Sequence, residues 1–582
     1  MFDSFNQAET GVRRFLIMAN HSRFFLFVFV PFFLAAACGG GGSGGQTAPP
    51  PAPAPPPPPV ASSCTTPIAA GGIFSQTTQE NGLCYEVSEV IAKTALHIMG
   101  GGLAIADIDR DGFLDLYVTH GSYEKGRLFL GNGTEFVPAT NNNGIDLSGL
   151  DNAGYFIDID SDGWDDFISI QYQTNFVEIF KNDRTGHFVE ATASTGIYLQ
   201  KRTYSIAAAD YDLDGDIDLF FAHWGYAWSD TAPNPITQYL WENDGSGFFT
   251  DVSNKVEIFP SFLPPPFDDV RAENSFTPTF ADINSDGYPD LLLSGDFNSS
   301  QVLINNAGNS FTDATTDQIS DENGMGGTVA DYDRDGDLDW FVSSIFFSGR
   351  DKDYQGGVTG NRLYENNGSG VFTDVTDTAL VRDGAWGWGS CFADFDNDGN
   401  VDIFHTNGMT EVGAREDDLD HPLYVFFRDP SRLFMSNGDG TFSEEALTLG
   451  INHDDQGRGV ICSDLDRDGW VDILVATNGK SPTVYKNGFN NSNHYLQIDL
   501  DGPAGNLEGI GARVIVETAA GSQMQEVVLG THYLSQQPSV LHFGLGSENA
   551  VTSVKVTWPG LAGLETRLEN LTVDQRLTIS SP

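Results

Sequence analysis

Apolar residues in this chain come in short runs rather than at helical spacing, and the runs return in a fixed order. A small-residue, alternating stretch such as GGLAIA leads into an aspartate cluster; a β-branched or aromatic stretch such as LYVTHG follows, and then a turn-centred segment such as LFLGNGTEF. Runs of this composition, bounded by Gly, Asn and Asp, predict strands. The aspartate cluster sets the count. DIDRDGFLD at 107 is followed by DIDSDGWDD at 158, DYDLDGDID at 210, DINSDGYPD at 282, DYDRDGDLD at 331, DFDNDGNVD at 394 and DLDRDGWVD at 464. All seven have an acidic or amide side chain at positions 1, 3 and 5, glycine at 6 and aspartate at 9.

The flanks repeat as well. SIAAAD, GGTVAD and GSCFAD stand before clusters, and LFFAHWG and IFHTNG after them. Six of the seven units carry the turn-centred signature, also seen as IFKNDRTGHF, LWENDGSGFF, LINNAGNSF, LYENNGSGVF and LFMSNGDGTF, where Asn, Asp and Gly supply the positive φ of a tight hairpin. Each unit therefore predicts four antiparallel strands. Spacings of 49 to 72 residues suit β-propeller blades, which bury both sheet faces against their neighbours. The expected fold is all-β: a seven-bladed β-propeller with calcium loops over 64–490, then a small β-sandwich-like domain over 491–582, where YLQIDL, ARVIVET, EVVLG and SVKVTW read as strands. The seventh unit, after PTVYKNG, lacks a fourth strand. GLCYEVSEVIA at 82–92 resembles the fourth-strand segments GVFTDVTDTAL and GFFTDVSNKVE, and is expected to close the ring by completing that sheet.

Charge narrows the function. With 29 Lys+Arg against 81 Asp+Glu the formal charge is −52, which repels a phosphate backbone and excludes nucleic acid as a partner. At the N-terminus, Arg13, Arg14 and Arg23 precede an apolar run from Phe24 to Ala37 that is short for a membrane span, so 1–38 reads as a signal peptide. The ending LAAAC resembles a lipoprotein signal, with Cys38 as the lipidated residue, although Leu34 stands four places before the cysteine; ordinary cleavage after Ala35-Ala36-Ala37 is the alternative, and Met18 is an alternative start. Residues 39–63, GGGGSGG and then a polyproline stretch, form a flexible and then stiff spacer that would lift a folded body off a membrane. Cys64 and Cys84 could pair in an oxidising compartment. Cys391 and Cys462, three and two residues before their clusters, are expected on opposite strand faces and unpaired in the core.

The aspartates themselves point to a metal. Oxygen side chains at 1, 3, 5 and 9, a carbonyl at 7 and glycine at the sharp turn follow the first part of an EF-hand loop, and oxygen-only ligation selects a hard cation, best calcium. The expected ligands are Asp107, Asp109, Asp111 and Asp115; Asp158, Asp160, Asp162 and Asp166; Asp210, Asp212, Asp214 and Asp218; Asp282, Asn284, Asp286 and Asp290; Asp331, Asp333, Asp335 and Asp339; Asp394, Asp396, Asp398 and Asp402; and Asp464, Asp466, Asp468 and Asp472. Asn284 alone departs from aspartate. Two carboxylates 4 Å apart repel by about 4 kcal/mol at an effective dielectric near 20, so the cation belongs to the fold. Up to seven Ca²⁺ would bring the formal charge to −38. No loop has the twelfth-position glutamate of an EF-hand, so affinities of about 10⁻⁴ to 10⁻³ M are expected, as in extracellular modules. Paired carboxylates also serve glycoside hydrolysis. Seven equivalent copies argue against that use, because catalysis needs one asymmetric constellation.

The repeat, over about 82 to 490, resembles the FG-GAP or VCBS repeat of integrin α-subunit propellers, whose calcium loops share D-x-D-x-D-G-x-x-D. NHYLQIDLDGPAGNLEGIGARVIVET, LHFGLGS and VKVTWPG resemble the ASPIC/UnbV domain that follows such repeats in the cartilage acidic protein family and its bacterial relatives. The resemblance implies a secreted calcium-binding propeller and carries no catalytic residue onto this chain.

If every cluster lies between a first and a second strand, all loops share one rim. The opposite rim then holds His97, His120, Gln171, Arg202, His223, Trp224, Trp386, Trp388, Asn407 and Arg458, with long loops at 223–240, 343–363 and 405–433. The aromatic and polar mouth formed there is the candidate ligand site. For each residue singly, the plainer reading is packing in the central channel or capping of a strand. No Gly-x-Ser-x-Gly or His-Glu-x-x-His occurs, and GIGARV lacks dinucleotide-site spacing. The sequence thus points to an exported, non-enzymatic recognition or adhesion protein for a glycan or a cell-surface or extracellular protein, touching a membrane through its N-terminal anchor. The alternative is a secreted enzyme cleaving a polysaccharide or phosphoester at the same rim.

Overall fold

Every aspartate loop joins the first and second strands of an antiparallel sheet in one common register. The residue before the loop pairs with the ninth-position aspartate: Ala106 with Asp115, Ile157 with Asp166, Ala209 with Asp218, Ala281 with Asp290, Ala330 with Asp339, Ala393 with Asp402 and Ser463 with Asp472. The computed structural model describes residues 72–87, 99–121, 123–171, 176–199, 201–227, 238–258, 261–262, 271–347, 358–409, 426, 428–560 and 564–582. Residues 1–63 with Cys38, together with Cys64, His97 and the middles of the three long loops, lie outside the described residues, and with them the expected signal peptide and spacer.

Unit 1 runs Leu103–Ala106, Asp115–Val118, Arg127–Gly131 and Phe136–Pro138, each strand bonded to the next. The same strand order recurs in all seven units, those of units 3 and 4 joined into one nine-stranded sheet by the pairing of Trp224 with Asn274, and the first strands stand side by side until that of the seventh, Gly457–Ser463, returns to that of the first. Fourth strands are three residues long and open on a buried phenylalanine, as at Phe188, Phe249, Phe311 and Phe372. These rings enter the cores between sheets, where an aromatic side chain covers much apolar area.

The seventh sheet is completed from the N-terminal end, but not by 82–92. Ser75 and Gln76 pair with Lys486 and Tyr485, and Phe74, 1% exposed, supplies the phenylalanine. IFSQ matches the F-T-D head of the other fourth strands more closely than CYEV does. The described part of 82–92 packs on unit 1 instead: Leu83 is buried beside Leu103 and Phe129, and Tyr85 stacks on Phe129 at 5.4 Å. The two cysteines expected to be unpaired are bonded to each other. Cys391 and Cys462 form a disulfide across adjacent first strands of units 6 and 7, with Cα atoms 6.4 Å apart. Their unequal offsets from the loops place them on opposite sheet faces, and in a ring opposite faces of neighbouring sheets meet. Cys84 is also disulfide-bonded.

After the ring, His494–Asp501 lies between Leu541–Gly546 and Gln575–Ser580, and a second sheet orders Gly521–Glu526, Arg513–Thr518, Val551–Thr557 and Glu565–Leu571. Leu496, Ile498, Val514, Val516, Val554 and Trp558 fill the sandwich between them. This domain is not a detached module. Its segment 529–536 leaves the sandwich and enters the central channel of the ring, where Ser535 and Gln536 add in parallel to Leu103 and Ala104. The Gln536 amide bonds both the N–H and the carbonyl of Phe156 at 2.7 Å, Leu534 N–H donates to Ser205 Oγ at 3.2 Å, and Ala208 N–H to the Leu529 carbonyl at 3.3 Å. The small residues of the first strands are what let it pass. A Cβ on Gly102 would lie 2.0 Å from the Leu534 carbonyl, and one on Gly459 2.0 Å from Ser535 Oγ.

Candidate metal centres and the opposite rim

Within each loop the chain turns through two left-handed residues. The fourth position has φ between 56° and 65° in all seven (Arg110, Ser161, Leu213, Ser285, Arg334, Asn397, Arg467), and the sixth-position glycine follows at 88° to 103°. For a non-glycine residue this conformation costs about 1 kcal/mol or more and persists where the surroundings fix it. What fixes it is the first aspartate, whose Oδ2 accepts the glycine N–H in every loop, from 2.7 Å at Asp394 to 3.2 Å at Asp331. The ninth-position aspartate is held from outside: one oxygen accepts an N–H at the end of the third strand, at 2.7 to 2.9 Å in all seven units.

These bonds gather the carboxylates. Among the described residues there are six acidic groups whose oxygens lie within 4.8 Å of one another, and in five of them these are the first, third and ninth side chains of a loop: Asp107, Asp109 and Asp115; Asp158, Asp160 and Asp166; Asp210, Asp212 and Asp218; Asp331, Asp333 and Asp339; and Asp394, Asp396 and Asp402. Buried oxygens without a hydrogen-bond partner remain on Asp107, Asp160, Asp166, Asp212, Asp218 and Asp331. Burial, and then the neighbouring aspartates, push Asp115, Asp166 and Asp290 up to about 8 and Asp339 to about 9, and hold Asp218, Asp394, Asp402 and Asp472 well above the carboxylate range. Crowded, desolvated oxygens with unfilled lone pairs fit a hard divalent cation, which would keep them ionised. These buried clusters could hold metal ions. Loops 2 and 7 also carry cations of their own: Lys181 meets Asp160 at 2.8 Å, Arg184 meets Asp162 at 2.8 Å, and Lys486 meets Asp468 at 3.0 Å.

The same third-strand ends hold residues that the repeat pattern concealed. Asn182, Asn243, Asn305, Asn366 and Asn487 are buried, and each Nδ2 donates to the second-position carbonyl of the preceding unit's loop: Ile108, Ile159, Tyr211, Ile283 and Phe395, at 2.7 to 3.0 Å. In sequence these are the first Asn of KND, END, INN, ENN and KNG. They read as turn formers, and their second role, tying sheet to sheet, becomes visible only when the units meet.

A family model described as FG-GAP-like repeat matches residues 107–169, 158–221, 282–342, 345–405 and 422–475, and one described as ASPIC and UnbV matches 502–582. The chain belongs to the FG-GAP-like repeat family. Cartilage acidic protein 1 of Mus musculus is 28% identical over 247 residues, covering 34% of this chain and 38% of that protein; its Xenopus tropicalis counterpart is 30% identical over 248 residues with the same coverage. The match thus spans well under half the length of these curated relatives. Among solved structures, an Agrocybe aegerita lectin that recognises non-reducing terminal N-acetylglucosamine overlays with a TM-score of 0.38 at 16% identity, over 59% of this chain and 79% of that one.

On the rim away from the loops of this FG-GAP-like ring, the candidate residues are mostly internal. His120 is buried against the Tyr85 hydroxyl at 2.9 Å, and burial lowers it to about 4. His223 donates from Nε2 to the Gln238 carbonyl at 2.9 Å while Nδ1 faces the Thr203 hydroxyl at 3.1 Å, and burial holds it far below its usual range. Asn407 donates to the Pro430 carbonyl at 2.8 Å, and Trp386 packs edge-on to Phe426. Each of these follows the plainer packing reading. Three candidates are brought together by a residue absent from the sequence-based list. Tyr533, at the tip of the channel segment, lies 5.1 Å from Trp388 and 5.5 Å from Phe276; Trp224 stacks on Phe276 at 5.6 Å; Arg458 covers Trp388 at 4.2 Å. Tyr533, Trp388, Phe276 and Arg458 are all buried, so this row is an internal layer. Of it, Trp224 keeps partial exposure, its indole N–H donating to Asp296 at 3.1 Å, and Arg202 nearby is exposed.

Proposed function

We propose that the protein is an exported, calcium-stabilised recognition protein, anchored through Cys38, whose rim opposite the aspartate loops engages a glycan or another extracellular protein. The observation that carries this reading is the seat of the C-terminal domain. It covers the loop rim, bonding loops 4, 6 and 7 through Arg513, Asn493 and Gln497, and its segment 529–536 fills the channel. The face that remains is the one from which the long loops leave, where Trp224 is partly exposed and Arg202 exposed above the buried layer of Tyr533, Trp388 and Phe276, and aromatic and polar groups of this kind serve recognition sites. Calcium in the loops is structural in this reading: it neutralises carboxylates that the register forces together. A glycan and surface-protein binding screen with and without calcium, run on the wild type and on Arg202→Ala with Trp224→Ala, tests it. Capture weakened by the paired substitution at unchanged calcium content supports the assignment; undiminished capture moves the site elsewhere.

A further inference from the structure

The eighth residue of the aspartate loop is apolar in six units, as Leu114, Ile217, Pro289, Leu338, Val401 and Val471, and is Asp165 in the second. Two cavities between the ring and the C-terminal domain show what this position does. Leu114, Leu338, Val401 and Val471 line the smaller, of about 110 Å³; Leu114, Asp165 and Ile217 line the larger, of about 420 Å³. The eighth residue thus reaches the space under the domain, and loop 2 alone brings a carboxylate there. The backbone gives no reason for the exception. The Asp165 carbonyl accepts Asn182 Nδ2 at 3.2 Å, just as the Ile217 carbonyl accepts Asn243 Nδ2 at 3.0 Å and the Leu338 carbonyl accepts Asn366 Nδ2 at 3.1 Å. Only the side chain differs. A half-buried carboxylate where the repeat otherwise packs hydrocarbon costs folding free energy, and places where a chain breaks its own structural rule are where function is expected.

The rest of the larger cavity is mixed in character. From the domain come Glu508, which accepts Ser539 Oγ at 3.4 Å, and Arg576, paired with Asp499 at 2.8 Å. From the ring comes Arg110, its guanidinium 4.6 Å over the Trp164 ring. Arg110 and Asp501, both exposed, stand at the edge and leave the cavity open to solvent there. Its volume falls within the roughly 300–1,000 Å³ of small-molecule sites and far exceeds that of a bare ion. Two guanidinium groups in the wall oppose an organic cation; the carboxylates, in a chain of net charge −52, oppose an anion. A neutral, hydroxyl-rich ligand meets neither objection. Its O–H groups can donate to Asp165 and Glu508, its oxygens can accept from Arg110 and Arg576, and its C–H faces can pack on Leu114 and Trp164.

We propose that this cavity is a second binding site, which takes a neutral mono- or disaccharide between loop 2 and the C-terminal domain, on the side of the ring away from Arg202 and Trp224. The test is saturation-transfer difference NMR on the full chain with calcium present, using glucose, galactose, mannose, N-acetylglucosamine, maltose and cellobiose at millimolar concentration, and spermidine as a cationic probe. At least one saccharide is expected to give a signal with the wild type. Asp165→Leu, Asp165→Asn and Glu508→Gln are each expected to weaken its binding by about 10-fold or more, the loss of one charge-assisted hydrogen bond. Asp165→Leu restores the residue of loops 1 and 5, so its melting temperature should equal or exceed that of the wild type. A lower one means that the carboxylate serves the loop, and overturns the inference; the near-isosteric Asp165→Asn still reads the binding in that event. Absence of any saccharide signal overturns it, and so does a signal that both Asp165 variants leave intact. A signal removed by Arg202→Ala with Trp224→Ala but not by Asp165→Leu belongs to the opposite rim, which overturns this site and favours the other. A spermidine signal removed by Asp165→Leu, with no saccharide signal, makes the cavity a cation site instead.

Discussion

The two faces of the ring are built from the same seven units by opposite rules. On the loop face, the first aspartate grips the glycine N–H, the fourth residue turns left-handed and the ninth aspartate is tied to the third strand, unit after unit. On the other face, equivalent positions diverge: His120 and His223 stand at the same place in their units yet meet a tyrosine hydroxyl in one case and a carbonyl and a threonine in the other. Repetition around the ring marks a demand every unit must meet to fold. Variation around the ring permits a surface asymmetric enough to recognise one ligand.

Removing metal should expose this contrast most strongly. Chelation is expected to lower the melting temperature by about 10 °C or more, because each emptied loop leaves several desolvated carboxylates together; a shift no larger than that of a rim substitution would erase the distinction between the faces. A pH series sharpens it. The ninth-position aspartates have folded pKa values raised to about 8 or 9, above the unfolded value near 3.9, so their contribution is full at low pH and lost as pH rises. Chelated protein should therefore lose stability between about pH 4 and pH 9, and calcium-loaded protein should not. Next comes the disulfide: replacing Cys391 and Cys462 by alanine removes a cross-link spanning 71 residues and should cost about 2–4 kcal/mol in denaturant unfolding without affecting capture. Asn305→Ala deletes donors to the Tyr211 and Pro289 carbonyls and should cost about 2–3 kcal/mol, the buried acceptors being left unmet. The smallest stability effect is expected at Arg202→Ala, within about 0.5 kcal/mol of wild type, with any loss appearing in ligand capture instead.

What could be read from the sequence divides along the same line. The strand runs and the loops were legible because they recur from unit to unit with fixed internal spacing in the aspartate cluster; the common register was seen only in the structure. Ring closure was legible in kind but shifted in place: 82–92 was expected to supply the fourth strand, whereas Ser75 and Gln76 supply it, with Phe74 buried before them. The Cys391–Cys462 bond was hidden because strand-face parity was applied within a sheet, whereas the bond joins two sheets. The channel segment was the largest omission. GTHYLSQQ has no repeat to flag it, and its signal was indirect, in Gly102 and Gly459 where a first strand has no room for a side chain. His120, His223 and Asn407 stood out because polar groups attract attention in a sequence; all three are buried, His223 is bonded at both ring nitrogens, and His120 Nδ1 and Asn407 Oδ1 are left without a hydrogen-bond partner.

Whether the aspartate loops are cation sites that hold the ring together is decided by elemental analysis of the undialysed chain, coupled to a melt before and after chelation. Several calcium ions per chain are expected, with a melting temperature that falls as they leave. Protein that folds and melts identically with no metal bound would contradict this role.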